Sequence, residues 1–348
     1  MERYGKETQI GRRNVAGAGR YGIYIAAVLF LLGAVFVWNV NSGSTHLSAG
    51  ELWKILTGEV TEGTAYRIVH DIRLPRILAA MLLGGALSVS GFLLQTFFGN
   101  PIAGPYVLGI SSGAKLTVAL TMIFFLEMGK KLTSLEMVMA AFLGSMLSMG
   151  VVLLFSIRVQ RMSRLIVCGI MIGYICSAIT ELCVTFANDS NIVNLHNWSM
   201  GSFSGMSWNH VRMMTVLVLV TVLFTFLLAK PIGAYQMGEG YARNMGVNIM
   251  ALRILLILLS SLLSACVTAF AGPISFVGIA VPHITKSLTK TAKPLMLVPG
   301  CFVTGAVVTL FCDGIARTLF APTEISISSV TAVFLVPVVI AMMLKKRG

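Results

Sequence analysis

Ten stretches of the chain are almost free of charge: 21–38, 77–98, 106–126, 137–157, 165–187, 213–229, 254–271, 273–285, 294–312 and 325–344. An apolar helix needs roughly 20 residues to cross the hydrocarbon core of a bilayer, so the pattern predicts ten membrane-spanning helices. Three runs are atypical: the third contains Lys115, the fifth contains Glu181, and the eighth is short. Two segments break the pattern. Residues 99–114, GNPIAGPYVLGISSGA, hold two prolines and four glycines. Residues 270–284, FAGPISFVGIAVPHI, repeat that character: Gly272-Pro273 splits an overlong run and Pro282 ends the short one. Proline lacks a backbone donor and clashes with the preceding turn, so neither segment continues as a regular helix. Irregular backbone is tolerated at membrane depth only where protein buries it or water reaches it. The first break is read either as a tight cytoplasmic turn or as a loop at the inner mouth of a pathway. A break in each half of the chain points to a route between two pseudo-symmetric halves. Spacing alone carries that symmetry; no residue-level repeat accompanies it.

Composition agrees with the pattern. Hydrophobic residues make up 56% of the 348 and charged ones 11%, with mean hydropathy +0.87. A soluble fold of this length cannot hide so much apolar surface. With the N-terminus inside, 17 Lys and Arg fall on inner segments and 8 on outer ones, Lys115 within a span completing the 26. This bias predicts cytoplasmic N- and C-termini. It also accounts for the net charge of +13 without nucleic acid, since no basic stripe interleaves with aromatics. Residues 1–20 are read as a cytoplasmic basic tail and 21–348 as a single transmembrane domain. The apolar run after the tail is too long for a signal peptide and lacks a small-residue cleavage site. It is read as a retained span with Trp38 at its outer end.

Candidate chemistry is sparse. The six cysteines all fall in predicted spans and form no CxxC, which marks them as packing residues. No GxxxxGK[ST], HExxH or GxSxG occurs. His283 stands alone after a proline and is read as structural. The chain is therefore expected to be neither an enzyme nor a holder of metal or cofactor.

Five stretches, taken in order, are specific: IRLPRILAAMLLGGALSVSGFLLQTFFGNPIAGPYVLGISSGA, NWSMGSFSGMSW, GEGYARNMGVN, AGPISFVGIAVPHITK, and CDGIART followed by a Glu. With these the chain resembles the FecCD-type permeases, the membrane subunits of ATP-binding-cassette (ABC) importers for iron-siderophore, haem and cobalamin complexes. The resemblance covers residues 70–344. It implies an all-α type II importer fold of ten spans in the inner or plasma membrane. It also implies a second permease subunit, identical or paralogous, and two ABC ATPase subunits that bind ATP and Mg. A substrate-binding protein docks outside, and ferric siderophore is the first-choice cargo.

The resemblance also assigns residues. Arg73 and Arg76 in IRLPR, joined by Arg317, would meet acidic groups of the binding protein; a planar guanidinium fork suits that task. For Arg317 the plainer alternative is an ion pair with Asp313, four residues earlier. GEGYARNMGVN would form the short helices that fit the ATPase, with Glu239, Ala242, Arg243 and Gly246 as coupling residues. Glu239 and Arg243 are spaced to pair on one helix. Asn100, Pro101 and Ile102 would sit at the inner end of the pathway, facing Met162 and Ser163. A family acidic position is occupied here by Gly104. Glu181, an intramembrane carboxylate, is a candidate pathway residue. Trp198 and Trp208 fit the aromatic belt of an outer loop. A self-sufficient secondary transporter and a membrane-embedded enzyme are the rival readings. The first would not need a glycine-framed docking loop, and the second would need a convergent acid, base or metal cluster.

Overall fold

The computed structural model describes residues 2–43, 48–127, 133–158, 162–187 and 189–344, and every regular element among them is helical. In chain order these are α1 (Glu2–Asn41), α2 (Ala49–Leu56), α3 (Thr64–Arg67), α4 (Leu74–Phe98), α5 (Ile110–Glu127), α6 (Ser134–Arg158), α7 (Met162–Thr185) and α8 (Asp189–Ser199). There follow α9 (Trp208–Leu227), α10 (Ala229–Gln236), α11 (Glu239–Asn244), α12 (Ile249–Ala271), α13 (Val277–Thr289), α14 (Pro294–Thr318) and α15 (Ile327–Leu344). A π-helical turn, Ile68–Arg73, joins α3 to α4, so 64–98 forms one helical rod. Among the described residues seven helices are long and apolar enough to cross a bilayer: those containing α1, α4, α6, α7, α9, α12 and α14. The other three expected spans are the shorter α5, α13 and α15. From residue 2 the basic tail runs into the first span as one helix.

Burial ranks the spans. In its most apolar window 83% of α4 is buried, against 72% for α12 and 17% for α7. Helix α4 is thus the central post and α7 lies at the rim. A post enclosed on every side needs small residues, because no hydrophobic force separates helix from lipid and association depends on close packing. Gly84 and Gly305 bring α4 and α14 together so closely that a methyl on Gly84 would lie 2.6 Å from the Gly305 carbonyl. Ser90 on α4 and Ser260 on α12 each donate to the other's backbone carbonyl, at 2.8 and 3.0 Å.

The 99–109 segment runs inward along α13, so it is more than a surface turn. Pro105 lies against Gly278, and Gly104 against Ile279. The Ile274 amide donates to the Tyr106 hydroxyl at 3.1 Å. Gly109, at φ +74°, reaches the backbone of Gly169 and Gly173, well inside α7. Consequently α5 starts recessed in the bundle, at Ile110 instead of 106. The two sequence breaks, joined here by a Tyr106–Ile274 bond that spans 168 residues of chain, are thus packed face to face.

Candidate functional site

Three neighbourhoods carry the expected residues. The first is the meeting of the breaks. Asn100 accepts from the Ile102 amide through Oδ1 (3.0 Å), which makes it a turn-forming residue. His283 donates from Nε2 to the Pro101 carbonyl (2.9 Å), so the lone histidine fastens the loop. Ile102 remains 48% exposed at the tip. A side chain at Gly104 would start 2.9 Å from the Ile279 side chain, so any larger residue there requires Ile279 to shift. Met162 and Ser163 open α7, but their side chains lie outside the described residues.

The second neighbourhood projects from the end of the bundle where α4 finishes. Gly238 (φ +114°) and Gly246 (φ +80°) frame α11 in conformations that disfavour other residues. Ala242 is fully buried and holds α11 down, while Arg243 is exposed. Glu239 does not pair with Arg243. It pairs instead with Arg253 of α12, because Arg243 points outward while Arg253 is partly buried and needs an acceptor. Tyr235 donates to Glu239 at 3.2 Å, and burial pushes its hydroxyl pKa up, so it stays a donor at neutral pH. Gln236 donates to Thr96 at 3.2 Å, tying this projection to the last turn of α4. Met237, Tyr241 and Met245 are 72%, 51% and 64% exposed, an apolar face on an otherwise fixed knob.

The third neighbourhood lies at the opposite end. Arg76 donates to Asp313 from Nε and Nη2, the shortest contact being 2.8 Å, and to Glu324 from Nη1 at 2.8 Å. Arg317 lies 3.5 Å from Asp313 and donates to Asn39 Oδ1 at 2.6 Å. Arg73 donates to the Val40 carbonyl at 2.6 Å. The expectation of outward-facing arginines needs correcting: Arg73 is 4% and Arg76 8% exposed. Desolvated guanidinium groups must find acceptors within the chain, and these three knot the ends of α1, α4 and α14 together. Glu324, with 42% of its side chain exposed, is the charge this knot presents outward. The sequence pointed to Arg317–Asp313 by spacing, but Arg76–Asp313 spans 237 residues and carries no local signal.

Glu181 is exposed near the far end of α7 and lines a cavity of about 200 Å³ together with Lys115 and His196. The loop after α8 is more than an aromatic belt: the Ser202 amide donates to the Ala271 carbonyl beside the second break (2.8 Å). Trp198 is half-buried against the bundle, and Trp208 donates to the His70 carbonyl (3.0 Å).

Comparison with known proteins places this geometry. The model of the FecCD transport family matches residues 30–345. The hemin transport system permease protein HmuU of Yersinia pestis is 32% identical over 326 residues, covering 93% of this chain and 96% of its own. The vitamin B12 import system permease protein BtuC of Klebsiella pneumoniae subsp. pneumoniae is 34% identical, covering 87% and 89%. A solved chain in an inward-facing conformation, described as a metal-chelate type ABC transporter, superposes with TM-score 0.82 at 27% identity. That match covers 93% of this chain and 99% of the solved one.

Proposed function

The chain belongs to the FecCD transport family, and from that premise we propose that it is the permease subunit of an ABC importer bringing an iron complex into the cytoplasm. Ferric siderophore is the first reading of the cargo. The relatives that carry hemin and vitamin B12 favour haem or cobalamin as the alternative. The observation that carries the reading is a mechanical line. Glu239–Arg253 clamps the α11 knob to α12, Gln236–Thr96 ties the adjoining α10 to the last turn of α4, and the broken loop begins where α4 ends, at Gly99.

In this reading the α11 end lies in the cytoplasm with both termini. Two ABC ATPase subunits, which hold ATP and Mg, seat on the knob, and Glu239, Ala242, Arg243 and Gly246 fix its shape. Asn100, Pro101, Ile102, Met162 and Ser163 form the inner gate, and Glu181 belongs to the route. A second permease subunit, identical or paralogous, completes that route. The external binding protein settles on the opposite end, where Arg73, Arg76 and Arg317 set the rim. The permease performs no covalent chemistry.

The test is reconstitution. Uptake should require the permease, the ATPase and the binding protein together; uphill movement by the permease alone would overturn the reading. Replacing Tyr241 and Met245 together by alanine should cut ATPase co-purification by about tenfold or more, since exposed anchors dominate such interfaces. Unchanged co-purification would move the ATPase seat elsewhere.

A further inference from the structure

Lys115 stands in the second turn of α5, on an otherwise apolar helix up to Glu127. It is half-buried and lines the cavity of about 200 Å³ between α5, α7 and α8, opposite Glu181 and His196. Among the described residues its ammonium has no ion pair within 4 Å and no hydrogen-bonded partner. The side chains of Glu181 and His196 are likewise without partners. A charge on an apolar span is costly and is kept where it has a task. Here three groups of complementary character surround one space without pairing with each other, so the space offers a guest both a cation and a second donor.

The charges and the volume define that guest. Glu181 and His196 are exposed at the rim, whereas Lys115 is set deeper and supplies the cavity with a cation, a binding group for an anion. Val184, Ile192 and Leu195 add hydrocarbon to the wall, and Thr180, whose hydroxyl donates to the Cys176 carbonyl, completes it. Whole ligands of drug size occupy pockets of about 300–1,000 Å³, so this cavity suits one arm of a larger molecule. We infer that it is a notch for a carboxylate arm of the transported chelate, bound by Lys115 with His196 as a second donor, near the end of the route opposite α11. Glu181 sets the rim's charge and disfavours a second acid beside the first. The notch rests on the importer reading, and it narrows the cargo to chelates that carry free acid groups.

The experiment uses the complete importer in proteoliposomes and two matched probe pairs. The first pair is haem and its propionate dimethyl ester; the second is ferric citrate and a ferric trihydroxamate. In the wild type the acid-bearing member of the productive pair should enter faster. Lys115→Met should lower the acid-bearing to acid-free uptake ratio by about tenfold, the worth of one partly desolvated charge contact. Lys115→Arg should restore most of the ratio. ATPase co-purification reports whether each variant assembles, and the wild-type ratio tests the notch even if Lys115→Met does not. Equal entry of both members of a pair, or a ratio unmoved by Lys115→Met, would overturn the notch and leave the importer standing. Failure of the wild type to take up any of the four while its ATPase turns over would remove the iron-complex cargo and the notch with it, and leave the importer reading to its cobalamin alternative.

Discussion

Asp313→Ala is expected to abolish most of the folded permease recoverable from membranes. Asp313 is 1% exposed and serves two guanidinium groups, Arg76 at 2.8 Å and Arg317 at 3.5 Å. Removing one partner of a buried ion pair costs about 3–5 kcal/mol, because the other charge stays desolvated and uncompensated. Here two cations are left: Arg76 with only the half-exposed Glu324, and Arg317 with Asn39. The loss is a large share of the roughly 5–15 kcal/mol that folded domains typically hold. Asp313→Asn should fall between, since it keeps an acceptor oxygen but not the charge. The double variant Asp313→Leu with Arg76→Met should recover part of the loss, because a buried pair exchanged for apolar volume is often nearly neutral. Thermal unfolding of detergent-solubilised protein, followed by size exclusion, orders the series. If Asp313→Ala unfolds within about 2 °C of the wild type, the knot does not hold these helix ends. The arginines would then be available to a docking protein, as the sequence first implied.

What the sequence disclosed and what it withheld divide along range. The spans were legible because lipid demands long uninterrupted apolar runs, and α4, α12 and α14 follow those runs closely. The breaks were legible because Pro101, Pro105 and Pro273 stand close to glycines, and the pair of residue types interrupts the helix. Proline alone does not end one here, since Pro282, expected to end the short span, lies inside α13, and Pro299 lies inside α14. That the breaks face each other was not, because it rests on Pro105 against Gly278 and Tyr106 against Ile274, about 170 residues apart. Local spacing rules failed wherever a distant partner competed. Glu239 had an eligible cation four residues on, yet it took Arg253 because that side chain lies inside the bundle. The arginines of IRLPR stand at the start of α4, but a π turn leads into them and burial turns them inward. Composition drew attention to Glu181; only the fold brought Lys115 and His196 to the same cavity.

Gly91→Ala should be comparably damaging, for a steric reason instead of an electrostatic one. A methyl group there would lie 1.7 Å from the Gly278 carbonyl oxygen, on the backbone of α13. A side chain in the way can rotate; a carbonyl within a helix cannot, so α4 and α13 must part. Overpacking a core typically costs about 1–3 kcal/mol when neighbours yield, and a rigid backbone clash exceeds that range. The displacement would not stay local, since α13 also carries the Pro105 contact and the His283–Pro101 bond. Gly278→Ala should do less harm, its nearest obstacles being Pro105 Cδ at 2.9 Å and the Leu87 carbonyl at 3.0 Å. Gly150→Ala, in α6 with nothing within 4 Å, should be harmless or slightly stabilising, because alanine is favoured over glycine inside a helix by about 1 kcal/mol. Melting temperature and reconstituted uptake should both fall in the order Gly150→Ala, Gly278→Ala, Gly91→Ala. Were Gly91→Ala to melt and transport like Gly150→Ala, α4 and α13 would not be in backbone contact, and the meeting of the two breaks would lose its anchor.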